Sequence, residues 1–423
     1  MKIQVLVFPC GSENASEIHQ ALRYSLHVEL SGASSVDDHG RFLFERYVGG
    51  LPHIQDNAFD QAFAAQVARL RIDMVFATHD SVLEYLAPKA AGMGVFLVNG
   101  DTHATAIARS KIATYGLFKD CPWVPRVFDA LDQVEAWPIV VKPDRGQGGQ
   151  AVAVAHSADD AARLARSVDK PVLVEYLPGE EITVDCFSDR NRRLVWVGPR
   201  SRERVRAGIT MRSNLQALTS EIEAIAATIN TRLKLRGPWF FQLKEDRDGR
   251  WKLLEISCRV GGAMVAQRAR GINLPLMTVH DYLGRDLVTL PVRQVSLIDR
   301  SIATRAQLDF DYDVVFVDLD DTLIIDGHAN PIALAFLYQS VRDGKQVRLL
   351  TRHARDLAQT LRSARIAPEL FDLIIQLGAD DRKADHVTPN SIFIDNHFPE
   401  RESVAHAHSV PVFDVDALEF FVR

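Results

Sequence analysis

Val315-Phe316-Val317-Asp318-Leu319-Asp320-Asp321-Thr322 is an apolar run that ends in two carboxylates two positions apart. Side chains two apart on an extended backbone point to the same face, so Asp318 and Asp320 leave the strand together. One can attack while the other handles a proton. A carboxylate attacking a phosphoryl group needs Mg²⁺ nearby to offset repulsion between anions, and a second acid to protonate the leaving oxygen. A strand running into an Asp-rich helix cap shares part of this pattern. The complete string of apolar run, Asp-x-Asp and Thr favours phosphoryl chemistry.

Such a site also needs a phosphate-holding group, a cation and a metal-binding acid, each at the end of another parallel strand. They follow in order. Val347-Arg348-Leu349-Leu350 ends at Thr351, Lys383 follows a loop of acids, and Ile392-Phe393-Ile394 ends at Asp395, a hard oxygen ligand. On these residues the segment 311–423 resembles the haloacid dehalogenase (HAD) superfamily of phosphatases. The resemblance implies Asp318 as nucleophile, Asp320 as acid/base, and Thr351 and Lys383 as phosphate contacts. It makes Asp395 a magnesium ligand alongside Asp318 and the Asp320 carbonyl. Asn396 stands where many relatives carry a second acid. About thirty residues between Thr322 and Thr351 hold one helix and one strand of a βαβ unit, so no inserted cap domain fits. A capless site accepts a large substrate or borrows a lid.

At 423 residues the chain is expected to hold about three domains. Its net charge of -6 argues against a nucleic-acid coat or membrane-surface protein. Cys10, Cys121, Cys186 and Cys258 are scattered, with neither disulfide nor zinc spacing. With no apolar run of membrane-spanning length and no signal-like start, a cytoplasmic location is expected.

Residues 1–105 alternate apolar runs (Ile3 to Phe8, Met74 to Ala77, Val95 to Val98) with amphipathic stretches such as Ala15 to Leu26. That is the pattern of a small parallel α/β domain. Further on, Pro138 to Pro143 carries Lys142 beside the Gly-rich loop Gly146-Gln147-Gly148-Gly149-Gln150. Lysine and backbone N–H groups there can lie against nucleotide phosphates. Val172 to Glu175 runs into Tyr176-Leu177, whose amide groups could match an adenine edge. Two strands, Phe240 to Leu243 and Trp251 to Ile256, form a hairpin across Asp246 to Arg250 and bring Gln242, Glu255 and Ser257 to one face. Oxygens clustered there suit Mg²⁺ bridging nucleotide phosphates.

This ordered set resembles the ATP-grasp superfamily, of the kind in carbamoyl phosphate synthase large subunits, from residue 1 to about 305. The implied architecture is α/β and α+β multidomain: a pre-ATP-grasp domain (1–105), an ATP-grasp domain (106–305) and a HAD-like parallel sheet without a cap (311–423). Implied ATP contacts are Lys111, Lys142, the loop with Gly146, Gly148 and Gly149, the hinge Glu175, Tyr176 and Leu177, and the ribose acid Glu181. Gln242, Glu255 and Ser257 are the implied Mg²⁺ ligands, Ser257 replacing the family's usual Asn, and Arg259 would steady the phosphoryl group in transfer. Arg204, Arg206 and Arg212, in an arginine-rich segment, are the candidates for an anionic substrate, a solvated face being the equal alternative.

The function implied is a bifunctional enzyme: an ATP-dependent carboxylate-amine ligase acting through an acyl phosphate, fused to a Mg²⁺-dependent phosphatase using an aspartyl-phosphate. Its partners would be a small-molecule carboxylate, an amine and a phosphorylated metabolite, with no nucleic acid or membrane and a homodimer left open. Two alternatives stand beside it. One is a phosphoryl transferase with an editing phosphatase; the other is a ligase with a degenerate regulatory module.

Overall fold

The computed structural model describes residues 2–146, 151–206, 208–378 and 380–422. They fall into two compact units, Met1–Ser301 and Ile302–Arg423.

The N-terminal unit begins with strands β1 (Ile3–Phe8), β2 (Val28–Ala33), β3 (Arg46–Val48), β4 (Met74–Ala77) and β5 (Phe96–Leu97), in a parallel sheet of order β3-β2-β1-β4-β5. Nearly every residue of β1 and β4 is buried, as a parallel sheet covered on both faces requires. Phe8, Phe59 and Phe63 pack on one face with ring centroids 5.2–5.6 Å apart. Each buried ring contributes about 1.5–3 kcal/mol. Because β1 and β4 are neighbours and parallel, the residues after them, Ser12 to Asn14 and Thr78 to Asp80, emerge at one edge. The first of these segments enters helix Glu13–Leu22, whose Ser12 cap accepts the Ala15 N–H at 3.2 Å.

Strands β6 (Val127–Phe128), β7 (Ile139–Pro143), β8 (Ala153–Ala155) and β9 (Pro171–Glu175) form a small antiparallel sheet of order β6-β9-β7-β8. The chain then runs through β10 (Glu181–Ser188), β11 (Leu194–Ser201), β12 (Arg204–Arg206), β13 (Ile209–Asn214), β14 (Gly237–Glu245), β15 (Trp251–Ser257) and β16 (Leu297–Asp299). Four of these make the antiparallel sheet β11-β10-β14-β15, and three the sheet β12-β13-β16.

Period-two alternation gives the larger sheet two unlike faces. Ile182, Val184, Cys186, Phe241 and Leu243 pack on helix Ser220–Leu233 through Ile222, Ile225 and Ile229. Glu181, Arg200, Gln242, Lys244 and Glu255 occupy the opposite face, where Glu181 pairs with Lys244, Thr183 with Gln242 and with Arg200, and Gln242 with Glu255. A hydrophobic face builds the core, and the polar face is left for a ligand.

The C-terminal unit holds β17 (Val314–Val317), the hairpin β18 (Ile324–Ile325) and β19 (His328–Ala329), then β20 (Gln346–Thr351), β21 (Leu373–Gln376), β22 (Ser391–Ile394) and β23 (Val412–Phe413). Five of them form a parallel sheet of order β21-β20-β17-β22-β23. Val315 and Val317 enter one core with Leu337, Leu349 and Ile392; Val314 and Phe316 enter another with Leu350 and Phe393. Between Thr322 and Thr351 lie the short hairpin and helix Pro331–Arg342. The hairpin is absent from the sequence reading because its strands, two residues each, are too short to show a period.

Candidate functional site

The polar face of the β11-β10-β14-β15 sheet, the β7-β9 strands and the edge formed by Ser12 to Asn14 and Thr78-His79 line one cavity of ≈ 910 Å³. Lys142 reaches it from β7, 5% exposed. Its ammonium donates to the Tyr115 hydroxyl at 2.7 Å, and that hydroxyl donates to the Leu254 carbonyl at 2.8 Å. Burial, with Lys111 adding repulsion and Glu255 opposing, pushes the Lys142 ammonium down to about 7. Lys111, at the start of helix Lys111–Leu117, is also lowered, first by burial. Two desolvated ammonium groups in one cavity favour an anionic partner, because a nearby negative charge offsets the cost of burying them.

Glu175, Tyr176 and Leu177 line the same cavity. The Glu175 carboxylate accepts the Arg126 N–H at 2.8 Å, so this side chain fixes the end of β9 beside the start of β6. Glu181 meets Arg202 at 2.6 Å and Lys244 at 3.6 Å. Gly146 accepts from Arg109 at 3.0 Å. Gly148 and Gly149 lie outside the described residues.

Gln242 and Glu255 oppose one another across β14 and β15 and line the cavity. An amide oxygen and a carboxylate facing each other beside the lysines fit a hard cation. The Ser257 hydroxyl donates to Asp80 at 2.6 Å, and Ser257 lines a small neighbouring cavity with Lys111, Glu255 and Arg259. Arg259 Nε donates to the same carboxylate at 2.8 Å. Burial acts to raise Asp80, but the Arg259 charge and the hydrogen bonds from Ser257 and Arg259 outweigh it and hold the carboxyl below its usual range. Ser257 and Arg259 thus cluster with Asp80, the first residue of helix Asp80–Leu86 that follows β4.

The arginines need a correction. Arg204 and Arg212 both pair with Asp299, Arg206 is exposed, and none of the three lines the cavity. On β12 it is Val205, between Arg204 and Arg206, that faces inward, and alternation sends its neighbours to the other side. Arg200 and Arg202 line the cavity instead. Arg200 is 2% exposed and clamped by Asp185 at 2.7 and 3.2 Å.

In the C-terminal unit, Asp318, Thr351, Lys383 and Asp395 are all buried at the carboxyl ends of β17, β20 and β22 or in the turn beside them. The Lys383 ammonium donates to Asp318 Oδ1 at 2.7 Å and Asp395 Oδ2 at 2.6 Å. Burial pushes the Asp318 carboxyl up to about 6, Lys383 opposing and Asp395 reinforcing. Two buried carboxylates converging on one cation make a donor set that fits a divalent ion. Asp320 is exposed and is held by His353, whose Nδ1 lies 2.9 and 3.0 Å from the two carboxylate oxygens. Asn396 engages Thr322: its N–H donates to the hydroxyl at 3.1 Å, and its Oδ1 accepts from that hydroxyl at 3.3 Å.

Tyr115, Asp80 and His353 were missed as site residues by sequence reasoning, whereas Arg200 and Arg202 belong to the arginine-rich segment read there as an anion pocket or a solvated face. Of the missed residues only His353, two positions after Thr351, carried a local signal, because Tyr115 and Asp80 reach Leu254 and Arg259 across 139 and 179 positions.

A family model described as "ATP-grasp in the biosynthetic pathway with Ter operon" matches residues 167–303, from the start of the β9 region through β16. A D-alanine–D-alanine ligase of Fusobacterium nucleatum is 25% identical over 109 residues, 26% of this chain and 36% of that ligase, so the chain aligns with little over a third of that relative's length. The biotin carboxylase domain of Hydrogenobacter thermophilus 2-oxoglutarate carboxylase, solved with MgADP, ADP and bicarbonate, is similar with a TM-score of 0.57, 13% identity and 68% and 71% of the two chains covered. An L-amino acid ligase from Bacillus licheniformis gives 0.54, 19%, and 66% and 74%. The chain carries an ATP-grasp fold. No helix among the described residues is long and apolar enough to cross a membrane.

Proposed function

We propose that the N-terminal unit is an ATP-dependent carboxylate-amine ligase and the C-terminal unit a Mg²⁺-dependent phosphatase of the HAD type. The observation that carries the first reading is the buried Lys142 ammonium and the half-buried Lys111 ammonium sharing one cavity with Gln242 and Glu255. In this reading the lysines hold the ATP phosphates, and the segment Glu175 to Leu177 presents backbone to the base. Gln242 and Glu255 would hold Mg²⁺, which supplies charge neutralisation on the phosphates when bound. Arg259, set by Asp80, faces the transferred phosphoryl group, and Arg200 and Arg202 face the carboxylate substrate. The carboxylate oxygen takes the γ-phosphoryl group to give an acyl phosphate and ADP; an amine then displaces phosphate to leave an amide. The relatives' names make amino acids the first substrates to try.

For the second unit, what supports the reading is the Asp318-Lys383-Asp395 cluster with Asp320 exposed above it. Asp318 is the nucleophile, Thr351 and Lys383 hold the phosphate, and Asp395 and Asp318 would hold Mg²⁺. Asp320 protonates the leaving oxygen and then takes a proton from the attacking water.

The test is a screen of ADP release over pairs of carboxylates and amines, with Lys142→Ala as the blank. A ligase releases ADP only when both partners are present and yields a new amide; ADP release without amine dependence, and a stable phosphorylated product, would make the unit a phosphoryl transferase. Phosphatase activity is checked separately by Mg²⁺-dependent hydrolysis of a phosphate monoester that disappears in Asp318→Asn.

A further inference from the structure

We propose that His353 is a positioning residue for Asp320, aiming its carboxyl group at the leaving-group oxygen during phosphoryl transfer; this rests on the phosphatase reading of the C-terminal unit. His353 follows β20 by two residues and is 8% exposed. Every polar group it carries is fixed. Its backbone N–H donates to the Thr351 hydroxyl at 3.1 Å, and its carbonyl accepts from Gln376 at 2.7 Å. Nε2 lies 2.8 Å from the Thr360 hydroxyl on helix Leu357–Ser363. The Thr360 hydroxyl donates to the Asp356 carbonyl at 3.0 Å, which leaves its oxygen to meet Nε2, while Nδ1 faces both Asp320 oxygens, at 2.9 and 3.0 Å.

That arrangement has a consequence for geometry. Asp318 and Asp395 are drawn inward to Lys383, whereas Asp320, whose side chain is 54% exposed, has its direction set by the imidazole. A solvent-exposed carboxylate without such a partner samples several rotamers, and a general acid must lie within hydrogen-bond reach of the oxygen it protonates. Thr351 contacts the phosphate in the proposed reaction, so one rigid turn, Thr351-Arg352-His353, sets the phosphate and the acid relative to each other. In the step concerned, an Asp318 oxygen forms a bond to phosphorus. The bond from phosphorus to the leaving oxygen breaks with its electron pair on that oxygen, and the Asp320 proton goes there.

The experiment compares kcat/KM, which reports steps through aspartyl-phosphate formation, for two monoesters in the full chain with Mg²⁺. An n-alkyl phosphate has a poor leaving group that needs the proton; p-nitrophenyl phosphate has a good one that does not. His353→Ala is expected to lower kcat/KM for the alkyl ester by roughly 30-fold, part of the roughly 10²- to 10⁴-fold that a positioned general acid supplies. The aryl ester should lose about 3-fold or less. His353→Asn, whose side-chain amide places a donor at the position of Nδ1, should restore most of the alkyl activity. Thr360→Val should show the same alkyl-selective loss, smaller in size, and carries the comparison if the alanine variant does not fold. Equal losses on both esters, or an asparagine variant as impaired as the alanine one, would overturn the proposal. If the wild-type chain shows no turnover that depends on Asp318, the phosphatase reading falls and this proposal with it.

Discussion

The Lys142 ammonium sits 2.7 Å from the Tyr115 hydroxyl, and this neutral oxygen is the partner the structure gives it in place of a carboxylate. Burial therefore lowers its pKa to about 7 from an ordinary 10.5. A lysine depressed in the folded state binds fewer protons folded than unfolded between those two values. Stability from this group consequently rises with pH across the window from about 7 to 10.5, falls as pH drops through that window, and changes no further below about 7. Nucleotide reverses the balance, because phosphate charge favours the ammonium. Titration calorimetry of ATP at pH 8 in two buffers of different ionisation enthalpy should show net proton uptake, and Lys142→Met should abolish it. Equal apparent enthalpies in both buffers would contradict the assignment.

Asp80, at the start of helix Asp80–Leu86, fixes both Ser257 and Arg259, at 2.6 and 2.8 Å. Asp80→Ala leaves the Arg259 guanidinium without this acceptor, held among the described residues only by the Val260 carbonyl at 3.2 Å and the Phe240 ring. If Arg259 steadies the transferring phosphoryl group, the variant should lose roughly 10- to 100-fold in kcat for ADP release. The KM for ATP should change little, since Lys111, Lys142 and the segment Glu175 to Leu177 are untouched. Steady-state kinetics separate the two; a large rise in KM at unchanged kcat would place Asp80 in ATP binding instead.

How far these sites could be read from the sequence follows from the range of the interactions. Strands β1, β4, β7, β17, β20 and β22 are short, mostly apolar runs, and their reading needs only local period and punctuation. Lys142, Gln242 and Glu255 come to one cavity because strand alternation fixes their faces. The same rule turns Arg204 and Arg206 to the side opposite Val205, so membership of an arginine-rich segment is the poorer guide. Asp80 meets Arg259 across 179 positions of chain, and Tyr115 meets Leu254 across 139. No local pattern encodes such contacts. Ser257, an apparent departure at a metal position, becomes intelligible only once Asp80 is seen opposite it.

Arg202 and Arg206 allow a direct contrast between segment and cavity. Arg202 lines the cavity and meets Glu181 at 2.6 Å, whereas Arg206 is exposed outside it. Arg202→Ala should weaken the carboxylate substrate by about 1–3 kcal/mol, the range for a lost charge-assisted hydrogen bond. Arg206→Ala should stay within roughly 0.5 kcal/mol of wild type. KM values for the carboxylate partner at saturating ATP provide the check, and an Arg206 effect as large as that of Arg202 would restore the outer arginines as substrate ligands.

Lys383 holds two buried carboxylates at 2.7 and 2.6 Å, which makes its removal a test of electrostatics as well as of catalysis. Lys383→Met leaves Asp318 and Asp395 facing each other without a cation and should destabilise the metal-free unit by about 3–5 kcal/mol. Asp318 is already pushed up to about 6 by burial, against 3.8 unfolded. The folded state therefore binds more protons across that window, so this group's penalty is absent below 3.8 and grows as pH rises through about 6. Losing Lys383 removes the term that opposes the rise, so the variant's deficit relative to wild type should be small at pH 5 and larger at pH 7.5. Millimolar Mg²⁺ should recover part of the loss at pH 7.5, because a divalent ion that binds only the folded carboxylates stabilises by mass action. Thermal melts of the full chain at both pH values, with Mg²⁺ and with a chelator, measure this. A deficit independent of both pH and Mg²⁺ would mean that Lys383 contributes packing rather than charge.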